Sequence, residues 1–139
     1  MTEQAKIVAR RLREEFVSTG NRALVDELLA PNFRYYGPPS LGAEPSDREG
    51  FMQLIAAYRQ AFPDLRETVE DQLIDGDHVV QRTTSRGTFT AEMMGMSPTG
   101  KAYEIPGVDI IRVVDERIVE VRAMFDSLGL MQQTGMGAP

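Results

Sequence analysis

The feature that most constrains this chain is a change of hydrophobic period near residue 66. Up to Phe62 apolar residues recur every three or four positions; from Arg66 to Phe125 they alternate along extended runs. Ala5, Val8, Ala9, Leu12 and Phe16 make one helical stripe, which Thr19-Gly20 closes. Asn21 caps a shorter helix with Leu24, Val25, Leu28 and Leu29, stopped by Ala30-Pro31. FRYYG, 33–37, has strand-type residues and leads into the irregular loop PPSLGAEPSD. Ser46 with Glu49 three residues on reads as a capping box. It opens a helix with Phe51, Leu54, Ile55, Tyr58 and Phe62 on one stripe, ended by Pro63-Asp64.

RETVEDQLI, HVVQRTTSRGTFTA, KAYEIPGVDIIRVV and RIVEVRAMF then read as strands. The turn signals between them are Asp75-Gly76, the Met94-to-Gly100 segment and Asp115-Glu116. Helices followed by a strand meander predict an α+β fold in one domain, 1–139: a curved antiparallel sheet packed on N-terminal helices. Such a sheet folded over helices encloses a cavity where chemistry can sit.

Composition narrows what that chemistry is. A net charge of −6 leaves no basic stripe for nucleic acid. No apolar run approaches the roughly 18 residues needed to span a bilayer, and the amphipathic N-terminus lacks a signal-peptide core. The absence of cysteine excludes thiolate chemistry and suits a cytoplasmic location. The single histidine, His78, follows the Asp75-Gly76-Asp77 turn, so a His-based metal site is not expected. A small organic partner is the default.

The last hairpin supplies the candidate acid/base groups. With Asp115-Glu116 as a two-residue turn, Val114 pairs with Arg117, Arg112 with Val119, Asp109 with Arg122 and Ile105 with Asp126. Asp109, Arg122, Met124 and Asp126 then share one face, an Asp–Arg–Asp group among apolar residues. Asp126, beside Met124, Phe125 and the Met93-Met94-Met96 loop, would be partly desolvated, which raises a carboxyl pKa and suits proton exchange. Arg122 would hold Asp109 ionised and offer donors to an oxyanion. The same residues have plainer readings: Asp126 as N-cap of a helix from Ser127, and Asp109–Arg122 as a cross-strand ion pair. Only one of Tyr35 and Tyr36 can face inward. Methionine, eight in all, fills cores or lines pockets for flat ligands.

Several of these pieces together resemble the SnoaL-like polyketide cyclases of the nuclear transport factor 2-like superfold. They are Ala61-Phe62-Pro63-Asp64, Arg86-Gly87-Thr88, Gly95 with Pro98-Thr99-Gly100, Val108-Asp109-Ile110, and Asp126 before Leu128-Gly129-Leu130, within a likeness running from about Arg11 to Gln133. The resemblance implies a cone-shaped α+β barrel, a homodimer or higher oligomer, no cofactor and a hydrophobic small-molecule substrate. It implies that Asp126 is the acid/base for intramolecular aldol ring closure. Tyr35, Tyr58, Phe89, Met93, Met96 and Met124 are the expected substrate contacts. The chain departs from the family's histidines: Val121-Arg122 stands where His-Trp is common, and Phe89 where a histidine often follows Gly-Thr. The Asp–Arg–Asp expectation is similar to the water-activating group of limonene epoxide hydrolase. Ring closure, water addition or hydroxylation, and ligand binding without chemistry are therefore the three functions in view.

Overall fold

The computed structural model describes residues 2–39 and 45–136, so the centre of the expected loop lies outside the described residues. Helix α1 (Thr2–Arg11) runs on as a π-helical stretch, Leu12–Val17, in which the Ser18 N–H reaches back five residues to the Arg13 carbonyl. Gly20, at φ +71°, ends it with its N–H 2.7 Å from the Phe16 carbonyl. Asn21 caps a 3₁₀ turn, Arg22–Leu24, through the Ala23 N–H at 3.1 Å, and α2 (Val25–Leu28) follows.

Strand β1 (Leu29–Tyr36) begins earlier than expected and contains Ala30-Pro31 instead of starting after it. The proline is tolerated because β1 is an edge strand. Helix α3 (Arg48–Ala61) is capped by Asp47, whose carboxylate accepts from the Gly50 N–H at 2.8 Å. Ser46 is not the cap: its backbone exchanges two hydrogen bonds with Tyr35, of 2.8 and 2.9 Å.

Strands β2 (Arg66–Asp75), β3 (His78–Thr88), β4 (Ala102–Val114) and β5 (Arg117–Phe125) precede helix α4 (Ser127–Thr134). The sheet order is β1-β5-β4-β3-β2, antiparallel except that β1 runs parallel to β5. The α+β plan is as expected, but the sheet is mixed and open, not a closed antiparallel barrel. The N-terminal helix covers the β2 edge: Arg10 donates to the Val69 carbonyl at 3.1 Å, and the Val69 and Glu67 N–H groups donate to Glu14 (2.9 Å) and Ser18 Oγ (2.8 Å). These bonds satisfy edge groups that would otherwise invite another strand. They also fix the rotation of the helix against β2, and hence which side chain enters the interior.

Alternation puts Tyr103, Ile105, Gly107, Asp109 and Ile111 of β4 inside and their neighbours outside. The core stacks Phe51 against Phe16, Phe33 and Tyr35, with ring centroids 5.9, 5.3 and 4.7 Å apart.

Asp115 and Glu116 form the expected two-residue turn, both left-handed at φ +52° and +65°, and Val114 pairs with Arg117. One step on, the register slips: Val113 pairs with Ile118 but Arg112 with Glu120, so Val119 is an extra residue. Beyond this bulge Asp109 lies opposite Ala123, and Arg122 opposite Ile110. The expected Asp109–Arg122–Asp126 face therefore does not form.

Candidate active site

Between the helices and the sheet lies a largely apolar cavity of about 60 Å³ that opens to solvent at its mouth. Its polar groups come from different elements: Arg13 from the π-helical turn, Glu67 from β2, Thr83 and Ser85 from β3, Asp109 and Tyr103 from β4.

Arg13 is the centre of the group. Its Nε and Nη2 donate to the two carboxylate oxygens of Asp109 at 2.9 and 2.6 Å, and Nη1 donates to Glu67 at 3.1 Å. The three side chains are 10%, 2% and 13% exposed. Burial works against the charge on Arg13, but the two carboxylates outweigh it and hold the guanidinium well above its ordinary pKa. Gln81, fully buried, donates from Nε2 to Asp109 and to the Ala9 carbonyl, each at 3.0 Å, and accepts from Gln72 at 3.0 Å. Asp109 is thus a carboxylate with both oxygens engaged by fixed donors. Glu67 differs: burial raises its pKa, Arg13 pulls the other way, and the Asp109 charge adds to the rise.

Phenols complete the wall. Burial pushes the Tyr58 hydroxyl up to about 12 and raises those of Tyr35 and Tyr103, so all three are neutral donors over the working range of the site. Such donors, in a poorly solvated space, favour an oxyanion over a neutral carbonyl.

The expected site residues divide. Asp109, Tyr35 and Tyr58 line the cavity; Met124 borders it but is 59% exposed. Arg122 lies on the outer face, its guanidinium 4.1 Å from the Tyr36 ring centroid and 3.2 Å from Glu120. Asp126 is exposed, caps α4 through the Gly129 N–H at 2.8 Å and is not among the lining residues. Phe89 is core, with its ring 5.5 Å from that of Phe62, and the mutually bridged Met93 and Met96 pack in the same apolar cluster. The charge facing Asp109 thus comes from Arg13. Arg13 and Glu67 were absent from the expectation, although Arg13 has a visible signal: it interrupts the apolar face of Ala9, Leu12, Phe16 and Val17.

The family model for SnoaL-like polyketide cyclases matches residues 7–134, nearly the whole chain. The chain belongs to the SnoaL-like polyketide cyclase family. Similar solved structures include IdmH from Streptomyces antibioticus, a candidate polyketide cyclase, at 31% identity and a TM-score of 0.81 over 94% of this chain and 97% of that one. A SnoaL-like candidate cyclase from Jannaschia sp. CCS1 matches at 23% identity, with a TM-score of 0.83 over 99% and 94%. AclR from Streptomyces galilaeus, a candidate hydroxylase, matches at 24% and 0.77 over 97% and 87%. No curated protein matches the sequence. The neighbours share the nuclear transport factor 2-like fold. In this SnoaL-like chain the cavity carboxylates are Glu67 and Asp109.

Proposed function

We propose that this chain is a cofactor-free acid/base enzyme of the polyketide cyclase type, acting on a hydrophobic, aromatic polyketide-like carbonyl compound. Glu67 takes a proton alpha to the carbonyl, and the enolate closes a ring by intramolecular aldol addition. The Glu67–Arg13–Asp109 group carries this reading: one carboxyl raised by burial stands at the wall of an apolar cavity, beside a cation that a second carboxylate holds in place. A carboxyl moved towards neutrality is better matched to proton exchange with carbon. Arg13, Tyr35 and Tyr58 are the donors available to the enolate oxygen. Asp109 is the fixed counter-charge. The reading moves the base from Asp126 to Glu67, because Asp126 is occupied with capping α4.

The test follows deuterium uptake alpha to the carbonyl of alpha-tetralone in heavy water by NMR. Glu67→Gln should keep ligand-induced shifts and lose about 10²–10⁴-fold in exchange rate, the usual weight of general base catalysis. Equal rates in both proteins would overturn the assignment.

A second reading, water addition to an epoxide, is favoured by the same carboxylate–guanidinium–carboxylate grouping, which could hold and activate a water. Diol formation from styrene oxide with label from heavy-oxygen water, abolished by Glu67→Gln, would support it; no diol would remove it.

A further inference from the structure

One polar row inside the cavity runs from Glu67 to two hydroxyls that the steps above do not use. Glu67 on β2 lies directly opposite Ser85 on β3, and Tyr103 on β4 lies opposite Gly87, diagonal to Ser85. Direct cross-strand neighbours on one face touch, and diagonal ones are within reach of an aromatic side chain. The Ser85 and Tyr103 hydroxyls are 2.9 Å apart, and Ser85, directly across from Glu67, favours the charged form of its carboxyl. Gly87 makes the diagonal possible: a Cβ there would stand 2.9 Å from the Tyr103 ring and 3.4 Å from its hydroxyl. All three polar groups line the cavity.

The direction of these bonds depends on Glu67. Serine has one hydroxyl hydrogen. While Glu67 is ionised, that hydrogen goes to the carboxylate, and Tyr103 donates to Ser85. Once Glu67 has taken a proton, it donates to Ser85, Ser85 donates to Tyr103, and the Tyr103 hydrogen is free to point into the cavity.

We propose that Glu67, Ser85 and Tyr103 form a closed proton circuit, in which the proton that Glu67 removes from substrate carbon is returned through Ser85 and Tyr103 to the alkoxide made by ring closure. The proposal rests on the acid/base reading above. Glu67 breaks the C–H bond, and the enolate carbon bonds to the second carbonyl carbon. The alkoxide takes the Tyr103 proton, Tyr103 takes that of Ser85, and Ser85 takes that of Glu67. The carboxylate is regenerated, nothing is oxidised or reduced, and no water enters. Tyr103 is then a catalytic acid and Ser85 the relay that couples it to the base.

The test reads the Glu67 carboxyl titration by NMR in the intact protein. The groups facing Glu67 are Arg13 from the N-terminal helix, Asp109 and Tyr103 from β4, Tyr35 from β1 and Tyr58 from α3. Ser85→Ala should raise the midpoint by removing a bond to the charged form, and Ser85→Thr should restore it. Tyr103→Phe should raise it less, and should add nothing in the Ser85→Ala background, because its effect passes through Ser85. A Tyr103→Phe shift of zero, or one of equal size with and without Ser85, would overturn the circuit. The titration needs no turnover. If wild type fails to exchange alpha-tetralone, the acid/base reading falls while the coupling still decides the circuit; exchange without coupling removes the circuit alone.

Discussion

Replacing Arg13 by methionine keeps an unbranched apolar stem and removes the guanidinium and its charge. In the structure that charge is shared by Asp109 at 2.6 Å and Glu67 at 3.1 Å, with all three side chains no more than 13% exposed. Removing one member of a buried ion pair costs about 3–5 kcal/mol, because the partner is left charged and dry. Here two partners are left, so the upper end of that range is expected, against a total stability of about 5–15 kcal/mol for a domain. The sign of the pH dependence follows. With the guanidinium gone, burial acts on Glu67 with only Ser85 opposing it, and its folded-state pKa rises further above the unfolded value. A raised carboxyl pKa means that the native state binds more protons, so stability falls as pH rises through that value. Urea unfolding followed by circular dichroism should therefore show a deficit of about 5 kcal/mol near neutral pH that shrinks as the pH is lowered towards the ordinary carboxylate range. A deficit below about 1 kcal/mol, the scale of an exposed pair, or one that does not change with pH, would refute the buried-triad account.

Asp126→Ala should cost about 1 kcal/mol, the usual weight of an N-cap, read as a lower urea midpoint with an unchanged slope; full stability combined with loss of tetralone exchange would instead return Asp126 to the chemistry. Gln81→Leu removes the side-chain donor to the Ala9 carbonyl and one of the two donors to Asp109 Oδ2, which keeps Arg13 Nε, and should destabilise by about 1–3 kcal/mol; a neutral effect would mean that the amide does not anchor the pair.

Much of the fold is legible in the chain because it rests on short-range periodicity. Every second residue of β4 from Tyr103 to Val113 is buried, as its alternation requires, and Gly20, Asn21 and the Asp115-Glu116 turn do what their chemistry suggests. The site was harder because its parts meet through long-range geometry. The extra residue at Val119 turns Arg122 outward, and a run of valines interrupted by one glutamate does not announce a bulge. Which acid of RETVED faces inward depends on a second slip, between Val69 and Asp71. The parallel pairing of β1 with β5 has no local signature at all. Arg13 was the readable exception. A charge at the centre of an apolar stripe has to find a buried partner, which by itself points to an inward-facing carboxylate elsewhere in the chain.

The most direct test of the central claim is the pH–rate profile of alpha-tetralone exchange by wild-type protein, set beside the NMR titration of Glu67. The account predicts a rate that rises with pH as Glu67 loses its proton, with the midpoint of the rate matching that of the titration and lying above the ordinary glutamate value of about 4.3. A rate no faster than solvent alone, or a midpoint unrelated to Glu67, would contradict it.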